Sequence, residues 1–344
     1  MSTTRNVTVT GAWGYSGGRI VEKLRERGHR VTSLTTHGPL DGKLADGRID
    51  MWDGDVAWAR PAPEGRNDWD AGHLKTQLAE WATDTLVSTY WSRHATRPVG
   101  HRGAWTGHTE VLDNALRLIA AAEAAGVRRI VWTSITNADR ATELSYFSGK
   151  HRIEQRLAQS PDDVGWAVLR PACFFGYGGP GPEPDRPGIL LENIAWGCRI
   201  APIFPVPEGD CPLRPMHVDD YARLVVDEVE NPEARARSLR DACGPERYRL
   251  AELVSTVAGR LGVRSRPVAL PAAVCLAAYG LFSRLCGETI LTADELEGLR
   301  QNLLDSAEEP PFGAEGEDEG TRLSQWVAEN TERLGRRMAR EPTR

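Results

Sequence analysis

The chain has 344 residues, is 40% hydrophobic and 26% charged, and carries a formal net charge of −6. That length implies about two domains or one enlarged one, and the composition is that of ordinary globular chains. The negative balance argues against a general polyanion-binding role, and so against nucleic acid as a partner.

The polar start, Met1-Ser2-Thr3-Thr4-Arg5, runs straight into the β-prone Val7-Thr8-Val9. No signal peptide is read there, which points to a cytoplasmic protein. Next comes Thr10-Gly11-Ala12-Trp13-Gly14-Tyr15-Ser16-Gly17-Gly18, then a run with Ile20, Val21 and Leu24 on one helical face and a stop at Gly28. Strand, glycine loop and helix N-terminus together make a phosphate cradle, because backbone amides and the helix dipole face the anion and glycines let it approach. The competing reading is a surface turn before an ordinary helix; the flanking strand and helix favour the dinucleotide reading.

A second strand is expected over Arg30 to Thr35, ending Leu34-Thr35-Thr36-His37-Gly38. An acid at that end favours NAD; its absence leans toward NADP, with NAD still open, and Thr36 and His37 as candidates for the extra phosphate. Short strands are expected near 48–52 or 55–58. Asp68 precedes a helical pattern (Leu74, Leu78, Trp81) and is a candidate for adenine contact or for capping that helix. The strand Thr85-Leu86-Val87-Ser88-Thr89 follows.

From Thr106 to Ala125, Val111, Leu112, Ala115, Leu118, Ile119 and Ala122 keep helical register, and Gly126 stops it. The strand Arg129-Ile130-Val131-Trp132-Thr133 then leads into Ser134. The alternation of strand and helix predicts an α/β fold: a Rossmann-type doubly wound parallel sheet covered on both faces. Twelve residues past Ser134 stands Tyr146-Phe147-Ser148-Gly149-Lys150, entering another helix. Spacing i, i+4 puts Tyr146 and Lys150 on one face. A free phenol with pKa near 10 is a poor base at neutral pH, and a nearby lysine cation stabilises the phenolate. Lowering that pKa by about three units takes roughly 4 kcal/mol. Lysine occurs only at 23, 43, 75 and 150, which makes the pairing hard to obtain by chance. The bland alternative is an exposed Tyr–Lys pair on a surface helix.

The later chain reads as a loop from Gly178 to Gly188, a helix and short extended segment over 189–204, and a helix Asp219 to Glu230 returning to the sheet. Further helices are expected over Leu250 to Leu261, Ala272 to Leu285 and Arg322 to Arg340, with residues 305–320 an acidic, mobile, turn-rich segment. The expected domains are 1–177, with 213–230 returning to it, and a smaller, mostly helical substrate region over 178–344. The uncharged run Val268 to Ser283 contains Pro271 and is short for a membrane span. A buried helix is the default there and contact with a membrane surface the alternative. Six cysteines between Cys173 and Cys286 show neither C-x-x-C nor zinc spacing, so they read as free thiols and no metal is expected.

Together these residues resemble the short-chain dehydrogenase/reductase superfamily in its extended and atypical branches. The resemblance rests on T-G-x-x-G-x-x-G at Thr10 to Gly17, the serine-bearing strand ending at Ser134, and Leu169-Arg170-Pro171-Ala172-Cys173-Phe174-Phe175-Gly176. Arg214-Pro215-Met216-His217-Val218-Asp219-Asp220 adds to it. Within the superfamily the chain looks closest to NAD(P)-binding epimerase/dehydratase-like proteins, akin to NmrA-like proteins and the NAD(P)H-binding accessory subunit of complex I. The helical Asn of the usual tetrad is unmatched: Val111 falls there, with Asn114 one turn on.

The resemblance implies Ser134, Tyr146 and Lys150 as catalytic residues, with Tyr146 as acid/base in hydride transfer to or from a carbonyl or carbinol of a small-molecule substrate. It implies cofactor contacts at Thr10, Gly11, Trp13, Gly14, Tyr15, Gly17, Ser88, Thr89, Lys150, Pro171, Cys173 and Phe174. Substrate contacts would fall at Tyr90, Thr136, Asn193 and Arg214, and two copies would pair through the helices at 106–125 and 146–158. A non-catalytic NAD(P)H-binding sensor or scaffold is the other class the resemblance allows.

Overall fold

The computed structural model describes residues 4–35, 56–62, 69–92, 107–141, 143–180, 186–231, 233, 236–286, 289–313 and 319–339. Thr36, His37, Asp68 and the expected strand near 48–52 lie outside them.

The chain opens with β1 (Asn6–Thr10), α1 (Tyr15–Glu26) and β2 (Arg30–Leu34). Val7 and Val9 are fully buried, and so are Thr8 and Thr10. A strand covered on both faces must satisfy its hydroxyls internally; Thr8 Oγ1 lies 2.9 Å from Thr32 Oγ1 and 2.7 Å from Thr83 Oγ1. α1 buries Ile20, Val21 and Leu24 and gives way to Gly28, whose φ of +80° ends the helix in the left-handed region. Next come β3 (Ala57–Ala59), α2 (Ala71–Glu80), β4 (Thr85–Ser88), α3 (His108–Ala124), β5 (Arg129–Thr133), α4 (Ser145–Ala158) and β6 (Gly165–Pro171). Asp70 caps α2, its Oδ1 accepting from the His73 amide at 2.8 Å.

Past β6 lie α5 (Ile189–Ile200), β7 (Ile203–Pro207), α6 (Val218–Glu230) and β8 (Arg237–Ala242). They are followed by α7 (Leu250–Arg260), β9 (Arg266–Leu270), α8 (Ala272–Cys286), α9 (Ala293–Arg300) and α10 (Leu323–Glu329). Among the described residues the central sheet has seven strands in the order β8-β6-β5-β4-β1-β2-β3, every pair parallel. α1 and α6 cover one face, where Ile20, Leu24, Leu224 and Val225 meet Val7 and Val9. α2, α3 and α4 cover the other with Leu74, Leu118, Ile119 and Ile153. The fold is therefore a Rossmann-type α/β sandwich. Strand order reverses between β1 and β4, and ligands of such sheets bind at the carboxyl ends beside that reversal.

α6 lies beside α1, tied by Arg19 Nε to Asp219 Oδ1 at 2.5 Å. β8 extends the sheet next to β6, an element absent from the sequence reading. α5, α7 and α10 build a second core from Leu191, Ile194, Leu253, Val257, Trp326 and Val327.

Three expectations change. Residues 305–313, expected to be mobile, are pinned: Ser306 Oγ donates to Asp241 Oδ2 at 2.6 Å, and Phe312 is buried in the core of the α1–α6 face. The last helix ends at Glu329, and Leu334 and Met338 are buried without helical structure. Finally, α8 is not a buried helix: among its described side chains only Cys275 and Tyr279 are buried, and most of the others are open. No helix among the described residues is long and apolar enough to cross a membrane. Cys173, Cys198, Cys211, Cys243 and Cys275 are free thiols, and no metal-binding group of His, Cys, Asp or Glu occurs among the described residues.

Candidate active site

The glycine loop is shaped by its own backbone. Gly11 has φ +70°, and its carbonyl accepts from the Gly14 amide at 2.7 Å. A Cβ on Gly17 would stand 2.1 Å from Gly11 O, and one on Gly14 2.9 Å from it. The tight turn thus excludes side chains at both positions. α1 begins at Gly14 with no side-chain cap and no acid in its first turn. Its amides and the positive end of its dipole are left to an outside anion, which is what a pyrophosphate requires.

Thr10, Ser88 and Thr89 knit β1 to β4 at the reversal point. Thr89 Oγ1 donates to Thr10 O at 2.8 Å, the Thr89 amide to Thr10 Oγ1 at 3.0 Å, and Thr10 Oγ1 to Ser88 Oγ at 3.3 Å. Residues 176–180 and 186–188 form a wall against the loop. Tyr15 is half-buried with its hydroxyl on Gly176 O at 3.1 Å, and its carbonyl accepts from the Gly179 amide at 2.7 Å. Burial, with Asp219 and Cys173 nearby, holds the Tyr15 phenol well above its ordinary pKa. The half-buried Trp13 gives its carbonyl to the Arg186 guanidinium. Arg186, which the sequence reading missed, brings a cation to the rim of the loop. Phe174 packs between Tyr15 and Tyr221 with its ring tilted to both, at 6.2 and 4.8 Å between ring centroids. Burial beside Cys243 pushes the Cys173 thiol up, which disfavours its thiolate. The carbonyl of Pro171, at the end of β6, accepts from the Thr136 amide at 3.2 Å.

Tyr146, Lys150 and Ser134 come together at the carboxyl end of β5. α4 is amphipathic in an unusual sense: with Phe147, Ile153 and Leu157 it also buries Lys150 and Glu154. Lys150 Nζ donates to the carbonyls of Thr133 (3.2 Å) and Ser134 (3.3 Å), and lies 5.5 Å from the Tyr146 ring centroid and 5.1 Å from that of Trp91. Burial lowers its pKa to about 7, with Glu154 opposing. Desolvation thus works against the full cation that the sequence leads one to expect.

Glu154 is a second residue that sequence reasoning missed. It accepts from Ser134 Oγ at 2.6 Å and from Arg170 at 2.8 Å (Nε) and 2.5 Å (Nη2). Its signal was present, since it stands one turn beyond Lys150 on the face shared with Tyr146. A serine whose single proton goes to Glu154 has only lone pairs left to offer, so Ser134 can accept from a ligand but not donate to it while that bond holds.

Aromatic rings surround Tyr146. Trp91 meets it edge-on at 5.9 Å and His108 at 5.7 Å, while Trp91 and His108 stack at 5.8 Å. Trp91 sits so close to α4 that a Cβ on Gly149 would lie 2.6 Å from it. Trp91 Nε1 and His108 Nε2 are buried polar atoms with no hydrogen-bond partner among the described residues. His108 Nδ1 contacts Ser145 Oγ at 2.6 Å, and Ser145 donates to Asp294 of α9 at 3.0 Å. The unpaired donor at Trp91 Nε1, beside the Tyr146 ring, suits an arriving ligand oxygen.

The four expected substrate contacts do not converge. Tyr90 accepts from Asn114 Nδ2 at 3.2 Å, and Asn193 Oδ1 accepts from the Ala339 amide at 3.1 Å. Thr136 and Arg214 both meet the strap at 303–308: Thr136 donates to Leu303 O at 2.6 Å and Arg214 to Glu308 O at 2.7 Å. Beside that strap a polar cavity of about 710 Å³ opens, its lining including Asn137, Arg170, Asp241, Arg247, Asp305 and Glu308. Arg170 belongs to both places, linking the cavity wall to Glu154 and Ser134.

No family model matches the chain. Over 271 residues, 77% of this chain and 73% of its relative, it is 23% identical to the ceramide reductase of Caulobacter vibrioides. Over 186 residues, 54% of this chain, it is 26% identical to the mitochondrial 40 kDa subunit of NADH-ubiquinone oxidoreductase of Neurospora crassa. That match spans 46% of the subunit, less than half its length. Among solved structures, triphenylmethane reductase of Citrobacter sp. aligns with a TM-score of 0.68 at 14% identity, covering 95% of this chain and 99% of that one. The NADPH-dependent quinone oxidoreductase of Escherichia coli, solved with NADPH, gives 0.65 at 18%, covering 94% and 99%. A nucleoside-diphosphate-sugar epimerase of Staphylococcus aureus gives 0.64 at 16%, with the same coverage. The fold is shared with such reductases and epimerases along nearly the whole chain, as the resemblance implied.

Proposed function

We propose that the chain is an NAD(P)-dependent oxidoreductase that reduces a carbonyl, or oxidises a carbinol, with Tyr146 as acid/base. The observation that carries this reading is the buried Lys150 held against the Tyr146 ring by two backbone carbonyls at the end of β5. Desolvating a lysine is costly, and a surface Tyr–Lys pair gives no reason for it.

In this proposal the first-turn amides of α1 receive the pyrophosphate, Gly11, Gly14 and Gly17 let it approach, and Arg186 adds charge at the rim. Thr10, Trp13, Tyr15, Ser88 and Thr89 shape the walls. Pro171, Cys173 and Phe174 stand beside the nicotinamide, which when bound supplies or takes up the hydride. Thr36, His37 and Asp68 keep the roles read from the sequence, and the acid-free end of β2 favours NADP over NAD. An anion arriving near Lys150 favours its protonated form, which in turn favours ionisation of Tyr146. Tyr146 gives its proton to the carbonyl oxygen in reduction and takes it back in oxidation. Ser134, its own proton on Glu154, accepts from a hydroxyl of the substrate other than the reacting one. The rings of Trp91, His108 and Phe147 around Tyr146 favour an apolar carbonyl compound over a nucleotide sugar, and three of the relatives are named as reductases of ceramide, triphenylmethane dyes and quinones. Free thiols suit a reducing cytoplasm. Two copies pair through α3 and α4.

The test is NADPH oxidation with a panel of apolar ketones, quinones and nucleotide sugars, comparing wild type with Tyr146→Phe. The expected loss of kcat is about 10²–10⁴-fold. Tight NADPH binding with no Tyr146-dependent turnover on any compound defeats the enzyme reading and leaves a nucleotide-holding scaffold. Light scattering checks the pairing, which a monomer would refute.

A further inference from the structure

We propose that the open face of α8, with the adjoining start of β7, docks on the surface of an anionic lipid bilayer. Fifteen residues of α8 carry one charge, Arg284. A helix apolar all round is normally buried; among its described side chains this one buries only Cys275 and Tyr279 against the protein. Val274 (48% exposed), Leu276, Leu281 (57%) and Phe282 face outward. At about 1.5 Å per residue α8 is roughly 22 Å long, short of the ~30 Å hydrocarbon thickness, so it lies in the interface rather than crossing it.

Neighbouring elements enlarge the patch. Tyr279 donates to Pro205 O at 2.5 Å, while Cys275 lies at Leu270, so α8 runs antiparallel to β7 and its Leu281–Phe282 end points toward Ile203. Ile200 and Ile203 are 52% and 54% exposed there. Ile203 pairs with Arg266 of β9. Arg264, Arg266 and Arg284 are exposed and form no ion pair among the described residues, in a chain of net charge −6. Glu208 lies at the opposite end, near Cys275. Apolar side chains rimmed by unpaired arginines match an anionic headgroup layer over acyl chains. A second copy is the poorer occupant: pairing this face with itself sets one arginine rim against another. The inference is independent of the chemistry in the cleft.

The experiment is flotation of the full chain with vesicles of 30% phosphatidylglycerol in phosphatidylcholine, against pure phosphatidylcholine. Wild type is expected to float with the anionic vesicles and to be released by salt. The double variant L281E/F282E is expected to lose binding at least about tenfold, with its melting temperature and solution mass unchanged. The triple variant R264A/R266A/R284A leaves the apolar positions intact. It is expected to lose the preference for anionic vesicles, about fivefold for each arginine. Wild type that stays unbound, or a triple variant that binds as wild type does, overturns the proposal. So does an L281E/F282E variant that dissociates a wild-type dimer, since the face is then a seam between copies.

Discussion

α4 and α8 break the rule of burial in opposite directions. α4 takes a lysine and a glutamate, each 4% exposed, under the sheet's end, where the ordinary expectation is solvent. α8 leaves valine, leucine and phenylalanine in the open. In α4 each misplaced group has a partner: Lys150 holds two carbonyls, and Glu154 holds Ser134 and Arg170. In α8 the misplaced groups have none within the described protein. The buried charges are therefore accounted for internally and the exposed carbons call for something outside, which is why one helix reads as a site and the other as a surface.

The strongest way to break that contrast is Glu154→Leu. It removes the carboxylate but leaves the half-buried Arg170 and the Ser134 hydroxyl without their acceptor. Breaking a buried pair from one side costs about 3–5 kcal/mol, so chemical denaturation should show a loss of that order. Glu154→Gln, which can still accept from Ser134, should lose less. A loss below about 1 kcal/mol for Glu154→Leu would mean that Arg170 finds an equal partner in Asp139, 3.3 Å away.

Lys150→Met comes next, and its sign depends on pH. Lys150 titrates at 10.5 when free and at about 7 in the fold. Between those values the unfolded chain holds a proton that the folded chain lacks, so this group makes the wild type more stable as pH rises through that window. At and below pH 7 the folded state carries the whole cost of the buried cation, about 5 kcal/mol. Losing two hydrogen bonds to carbonyls offsets about 2–3 kcal/mol of the relief. The variant should therefore be about 2 kcal/mol more stable than wild type at pH 6 and slightly less stable at pH 10, while losing NADPH-dependent turnover. A stability difference that does not change with pH would show that Lys150 titrates normally and is not desolvated.

What could be read in the sequence was local. The turn at Gly11 to Gly17, the stop at Gly28 and the one-turn spacing of Tyr146 and Lys150 are each settled within a few residues. Glu154 has the same spacing signal, but its importance depends on Ser134 and Arg170, which arrive on two different strands. β8 escaped notice because it is an edge strand with little apolar alternation, and its Leu239 is 41% exposed. The expected mobility of 305–313 came from charge and proline content, yet Ser306 and Phe312 find partners on β8 and the α1–α6 face. α8 was misjudged because a helix's own sequence records how apolar it is and not whether a neighbour covers it.

The smallest expected effect is the sharpest control on that last point. Leu281→Lys replaces a side chain that is 57% exposed on a helix where lysine is a good former. If α8 is open in solution, the change should move stability by no more than about 0.5 kcal/mol, the ordinary range for surface substitutions. The same reasoning applied to Leu118 of α3, which is fully buried, predicts several kcal/mol for Leu118→Lys, since an unpaired charge would enter the core. Urea denaturation of the two variants side by side tests the difference. A cost at Leu281 approaching that at Leu118 would mean that α8 is covered in solution, by a second copy or by another part of the chain, and that its apolar surface is a core already in use.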